Sequence, residues 1–92
     1  MEKTLFRVID ICRSNNIEQD FIQELHNNGL IEIIYQEEQE YIEEEQIIVL
    51  ERFSTWHYEL EINVQGIEVV QNLIDRIESL QQEIREIKSG RK

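Results

Sequence analysis

The last third of the chain carries the plainest pattern. Val70, Leu73, Ile77, Leu80, Ile84 and Ile87 follow one another at intervals of 3, 4, 3, 4 and 3. That spacing is a heptad seam with every core position apolar. It predicts a helix from about Val64 to Lys88, capped by Asn63, with Ile62 and Ile67 stapled across the cap. Such a helix is roughly 35 Å long, more than a small domain can cover. Ile67, Val69 and Ile74 widen the stripe at its start, where it is expected to rest on the rest of the chain. The far half needs another cover, and the simplest is the same helix from a second copy in a two-fold homodimer. The seam residues are therefore the candidate dimerisation set, a coiled coil in form. The closing SGRK is polar and expected to fray.

Upstream the periods change. Leu5, Val8, Ile11 and Cys12 have helical spacing over a short stretch, and Asn15-Asn16 reads as a turn, because Asn tolerates left-handed backbone. A second helix, EQDFIQELHNN, puts Phe21, Ile22 and Leu25 on one face. Glu18 and Asp20 suit the positive end of its dipole. Gly29 is its predicted stop, with Leu30 supplying the accompanying apolar contact. Two short helices joined by a tight turn predict a helix-turn-helix. The exposed face of the second helix is expected to hold Glu18, Gln19, Asp20, Gln23, Glu24, His26 and Asn27.

The next stretch favours strand, with Ile31, Ile33 and Tyr35 alternating with Glu32, Ile34 and Gln36. A turn at about Glu37–Gln39 would pair Tyr41-Ile42 back as a small hairpin, the wing. Helix returns at about Glu43, with Ile47, Leu50, Phe53, Trp56 and Leu60 every three or four residues and Glu43, Glu44 and Glu45 in its first turn. The expected fold class is mainly α: a winged helix-turn-helix over residues 1–62, then a long C-terminal dimerisation helix and polar tail over 63–92.

Charge changes the picture. The 92 residues hold 9 Lys and Arg against 20 Asp and Glu, a formal net charge of -11. Between Ser14 and Asp75 Arg52 stands alone among acids, so the middle of the chain repels phosphate and attracts basic surfaces. A DNA reader would carry Arg or Lys on its second helix and wing, where this chain has Glu18, Asp20, Glu24, Glu37, Glu38 and Glu40. The charge argues against DNA.

Chemistry is sparse. Cys12, the single cysteine, sits on an apolar helix face as a small packed thiol and suits a reducing cytoplasm. His26 and His57 have no clustered companions for zinc. The run QEEQEYIEEEQ lacks the glycine and alternating oxygen ligands of a calcium loop. There is no phosphate-cradling loop or nucleophile elbow. No catalytic residue, metal or cofactor is expected. The N-terminus and the short apolar runs predict neither a signal peptide nor a membrane span, so a soluble cytoplasmic protein is expected.

The stretch VIDICRSNNIEQDFIQELHNNGLI resembles the helix-turn-helix of the MerR family, without gaps. Asn16 stands where that family usually has the turn glycine. Gln23 and Glu24 stand at its arginine and aromatic positions. The segment WHYELEINVQGIEVVQNLIDRIESLQQEI is similar to the C-terminal half of the CbpM chaperone modulators, a MerR-like offshoot. That resemblance implies a dimeric regulator that binds the J-domain of a DnaJ-like co-chaperone, CbpA, and keeps it from engaging DnaK. J-domains present a basic helix, so the candidate partner-binding residues are Glu18, Asp20 and Glu24 on the second helix and Glu37, Glu38, Glu40, Glu43 and Glu44 on the wing and the turn after it. A MerR-type DNA-binding transcription regulator is the alternative.

Overall fold

The computed structural model describes residues 3–90. Met1, Glu2, Arg91 and Lys92 lie outside that range, so the tail expectation falls partly beyond it. The elements run β1 (Leu5–Arg7), α1 (Val8–Asn15), α2 (Gln19–Asn27), β2 (Ile34–Gln36), β3 (Gln39–Glu43), α3 (Glu44–Ser54), a π-helical turn (Thr55–Glu59) and α4 (Val64–Lys88). This is a mainly helical winged helix-turn-helix with a long C-terminal helix, as the pattern predicts.

Helix ends follow local chemistry. Asn16 takes the left-handed conformation (φ 57°) after α1, and the Ile17 N–H closes on the Cys12 carbonyl at 3.1 Å. Gly29 (φ 75°) ends α2. The Leu30 N–H donates to the Leu25 carbonyl at 2.9 Å and the Gly29 N–H to that of His26 at 3.0 Å, the paired bonds of a Schellman stop. Asn63 caps α4, its side chain accepting from the Gly66 N–H at 2.7 Å. Ile62, just before the cap, packs against the core that holds Ile67.

Several elements differ from the pattern's expectation. Leu5 is not helical: Leu5–Arg7 pairs antiparallel with β3, Leu5 opposite Glu43, in a three-stranded sheet of order β1-β3-β2. A spacing of three between Leu5 and Val8 fits a helix by coincidence, whereas β3 offers a ladder. In the second strand region only Ile34–Gln36 joins the ladder, and Ile31 and Ile33 enter the core just ahead of it. Glu43 closes β3, leaving Glu44 and Glu45 in the first turn of α3. The helix through Leu60 ends early as regular α-helix. Ser54 Oγ and Thr55 Oγ1 donate back to the Leu50 and Glu51 carbonyls at 2.8 and 3.2 Å, an arrangement that strains helices. The next turn widens to π geometry and leaves Leu60 61% exposed.

One core joins the pieces. Val8 and Ile11 of α1, Phe21, Ile22 and Leu25 of α2, Ile42 of β3, Leu50 and Phe53 of α3, and Val64 and Ile67 of α4 are all buried together with Ile17, Ile31 and Ile33. The first turns of α4 are thus part of the winged core. Ile74 is half-buried farther along, and Val69, expected to rest on the body, faces outward. Among the described residues no helix is long and apolar enough to cross a membrane.

Candidate partner-binding surface

The wing tip is a two-residue loop. Gln36 pairs with Gln39, which leaves Glu37 and Glu38 to turn the chain. Both have positive φ, 50° and 63°, the backbone of a type I′ hairpin turn. Asn-Gly normally fills such a turn. Two glutamates there hold a conformation that costs about 1 kcal/mol or more each. Both side chains project into solvent.

Behind the tip, a cleft of about 290 Å3 lies between the start of α2 and the wing, lined by Val8, Ile9, Gln19, Tyr35, Glu38, Gln39 and Glu40. It sets two wing glutamates facing Gln19, which Glu18 and Asp20 flank in sequence. Tyr35 and Glu40 are directly opposite in the ladder, and the Tyr35 hydroxyl donates to Glu40 Oε2 at 2.8 Å. That bond, then the charge of Glu40, raises the Tyr35 phenol above its ordinary value.

The eight candidate acids therefore fall into separate groups. Glu38 and Glu40 line the cleft with Glu37 beside them at the tip, whereas Glu18 and Asp20 are exposed at the start of α2, on either side of Gln19 in sequence. Glu24 is exposed farther along α2. Glu43 and Glu44 sit at the other end of β3, where Glu43 is half-buried and accepts an ion pair from Lys3 Nζ at 3.1 Å. That bond first, and the charge of Glu43 second, raise the Lys3 ammonium. Of the α2 residues expected to be exposed, Gln23 and His26 are half-buried, and His26 Nδ1 lies 3.4 Å from the Ile31 carbonyl. No Lys or Arg occurs between Ile17 and Glu51, the span of α2 and the wing.

Sequence reasoning missed what holds α2 in place. His57 stacks on Phe21 with centroids 4.3 Å apart, and Tyr58 meets the same ring edge-on at 5.4 Å. The Glu18 N–H, at the start of α2, donates to the Tyr58 hydroxyl at 3.0 Å. The π-helical turn thus clamps the N-terminus of α2 from 40 residues away. The adjacent aromatic pair His57-Tyr58 was the one available signal, and it has no local partner to reveal its role.

Cys12 is half-buried, and burial, with Glu40 adding repulsion, pushes its thiol up. Among the described residues no three His, Cys, Asp or Glu side chains converge on a metal-sized site. The seam residues of α4 present a continuous stripe: Leu73, Ile77, Leu80, Ile84 and Ile87 are each about half exposed or more, and Val70 is half-buried.

The model of the MerR HTH family of regulatory proteins matches residues 6–89, from β1 to the end of α4. No curated protein and no solved structure matches the chain significantly.

Proposed function

The chain belongs to the MerR HTH regulatory family, and we propose that within it this member binds protein in place of DNA. In this reading it is a non-enzymatic, cytoplasmic homodimer of the CbpM type that holds the basic J-domain of a CbpA/DnaJ-like co-chaperone and inhibits it. The observation that carries the reading is the charge of the α2–wing surface. Glu18, Asp20, Glu37, Glu38 and Glu40 occupy the positions from which a winged helix-turn-helix meets phosphate, and the stretch from α2 through the hairpin that carries them holds no Lys or Arg. Phosphate contacts supply most non-specific DNA affinity, and this surface would replace them with repulsion. Toward a cationic protein the same surface speeds encounter and fixes partner choice. The half-buried, charge-repelled Cys12 suits packing, so no catalytic step or cofactor enters the proposal. The apolar α4 seam supports pairing with a second copy.

Isothermal titration with the cognate J-domain tests the proposal. Binding should weaken as salt rises, and charge reversal at Glu37→Lys with Glu38→Lys, or at Asp20→Lys with Glu24→Lys, should abolish it. Absence of a complex at low salt refutes the proposal. The second reading, a DNA-binding regulator, has family membership in its favour and predicts a gel shift on promoter DNA that fades steeply with salt.

A further inference from the structure

A second cleft, on a different part of the surface, has different chemistry. It measures about 430 Å3 and runs between α1 and α3, with Ile11 and Ile47 lining it and Phe6 and Ile48 at its exposed rim. Ile48 is 73% exposed, so a large aliphatic side chain projects beside an apolar trough that none of the described residues covers. Among the described residues the charges in the lining are carboxylates, Asp10 from α1 and Glu44 from α3. Asp10 is matched by Arg7 at 3.1 Å, whereas Glu44 has no ion-pair partner among the described residues. Glu45 and Glu51 extend the negative charge along exposed α3. The one cation of α3, Arg52, is engaged elsewhere, donating to Gln71 Oε1 of α4 at 3.0 Å and lying 5.7 Å from the Trp56 ring.

We infer that this groove seats the apolar face of a cationic amphipathic helix from a partner protein, with Phe6, Ile11, Ile47 and Ile48 taking its aliphatic anchors and Glu44 its basic flank. A trough between two helices with an apolar floor suits helix-in-groove recognition, in which anchors repeat every three or four residues. The acidic rim selects the sign of the helix's polar face. A second copy of this chain fits poorly: the chain is at -11, and the bases of α4, Arg76, Arg85 and Lys88, are interspersed with Asp75, Glu78, Glu83 and Glu86. The groove's own chemistry carries this inference, and the groove is separate from the α2–wing surface to which the proposed function assigns the J-domain.

The test uses the full chain, isotope-labelled for amide NMR, and a synthetic Leu–Lys peptide patterned as an amphipathic helix, with a Leu–Glu peptide of identical apolar face as control. The Leu–Lys peptide should shift the amides of Phe6, Ile11, Ile47 and Ile48, and the control should not. Ile48→Asp should weaken binding by about ten-fold or more. Because Ile48 packs little in the free chain, its unfolding curve should match the parent's. Glu44→Lys should weaken binding without touching the apolar floor. Shifts confined to the α4 seam or the α2–wing cleft, or equal binding by Ile48→Asp, overturn the inference. So does a drop in sedimentation mass on Ile48→Asp, which would give the groove to a second copy. Failure of the parent chain to bind a J-domain removes the proposed function and leaves the peptide result standing, so the two readings fail separately.

Discussion

The imidazole of His57 lies flat on the ring of Phe21, their centroids 4.3 Å apart and their planes 12° from parallel. His57 Nδ1 also sits 2.8 Å from the Ile62 carbonyl, so one side chain ties α2 to the approach of α4. A carbonyl can only accept, which makes Nδ1 the protonated nitrogen.

His57→Ala should therefore lose both a stacked ring and a hydrogen bond, about 2 kcal/mol together. His57→Phe keeps the stack and should lose about 1 kcal/mol. Urea denaturation midpoints of the two variants measure the difference. Equal losses would show that the ring contact contributes nothing.

The wing turn is strained by its own sequence. Glu37→Asn with Glu38→Gly places the favoured residues at the two positive-φ positions and should stabilise the protein by about 1 kcal/mol or more. The same change removes two charges from the tip, so it should weaken a cationic partner while raising the melting temperature. Opposite signs in calorimetry and titration would mark the turn as selected for charge at the expense of stability.

Gly66 lies in the first turn of α4, where Ala is ordinarily better by up to about 1 kcal/mol. Here a Cβ would come 2.8 Å from Ile62 Cγ2 and 3.1 Å from the capping Asn63 Oδ1. Gly66→Ala should destabilise instead, and pairing it with Ile62→Ala should relieve part of the cost. Thermal melts of the three variants decide the sign.

The bond between Tyr35 and Glu40 predicts a pH dependence. The folded phenol is raised above its ordinary 10.0, so the fold favours the neutral form. The stabilisation is fully present below the unfolded value and is lost as pH rises through the folded one. An NMR titration that follows the Tyr35 ring should show it ionising late, and Glu40→Gln should bring it back toward the ordinary range.

Pairing through α4 has its own measurement. Leu80, 49% exposed, lies near the middle of the seam. Sedimentation of the parent chain at micromolar concentration should give a dimer, and Leu80→Asp should give a monomer with its winged core intact by circular dichroism. A monomeric parent would contradict the seam argument.

What the sequence determined by itself is local. The bounds of α4, the Asn63 cap and the Gly29 stop each depend on residues within a few positions of one another, and each is legible as a helix signal. The negative charge of the α2–wing surface follows from composition once the helix-turn-helix order is recognised. The tertiary structure decided the rest. Leu5–Arg7 is too short to declare itself and becomes strand only because β3 arrives to pair with it. The π-helical turn leaves no periodic trace, and His57 and Tyr58 acquire their roles from Phe21 and the Glu18 N–H, far away in the chain. The α1–α3 groove exists only where two helices that are each amphipathic fail to close over Ile48. Periodicity and capping are short-range physics written into neighbouring residues, whereas pairing, stacking and exposure depend on which distant segments the collapsed chain brings together.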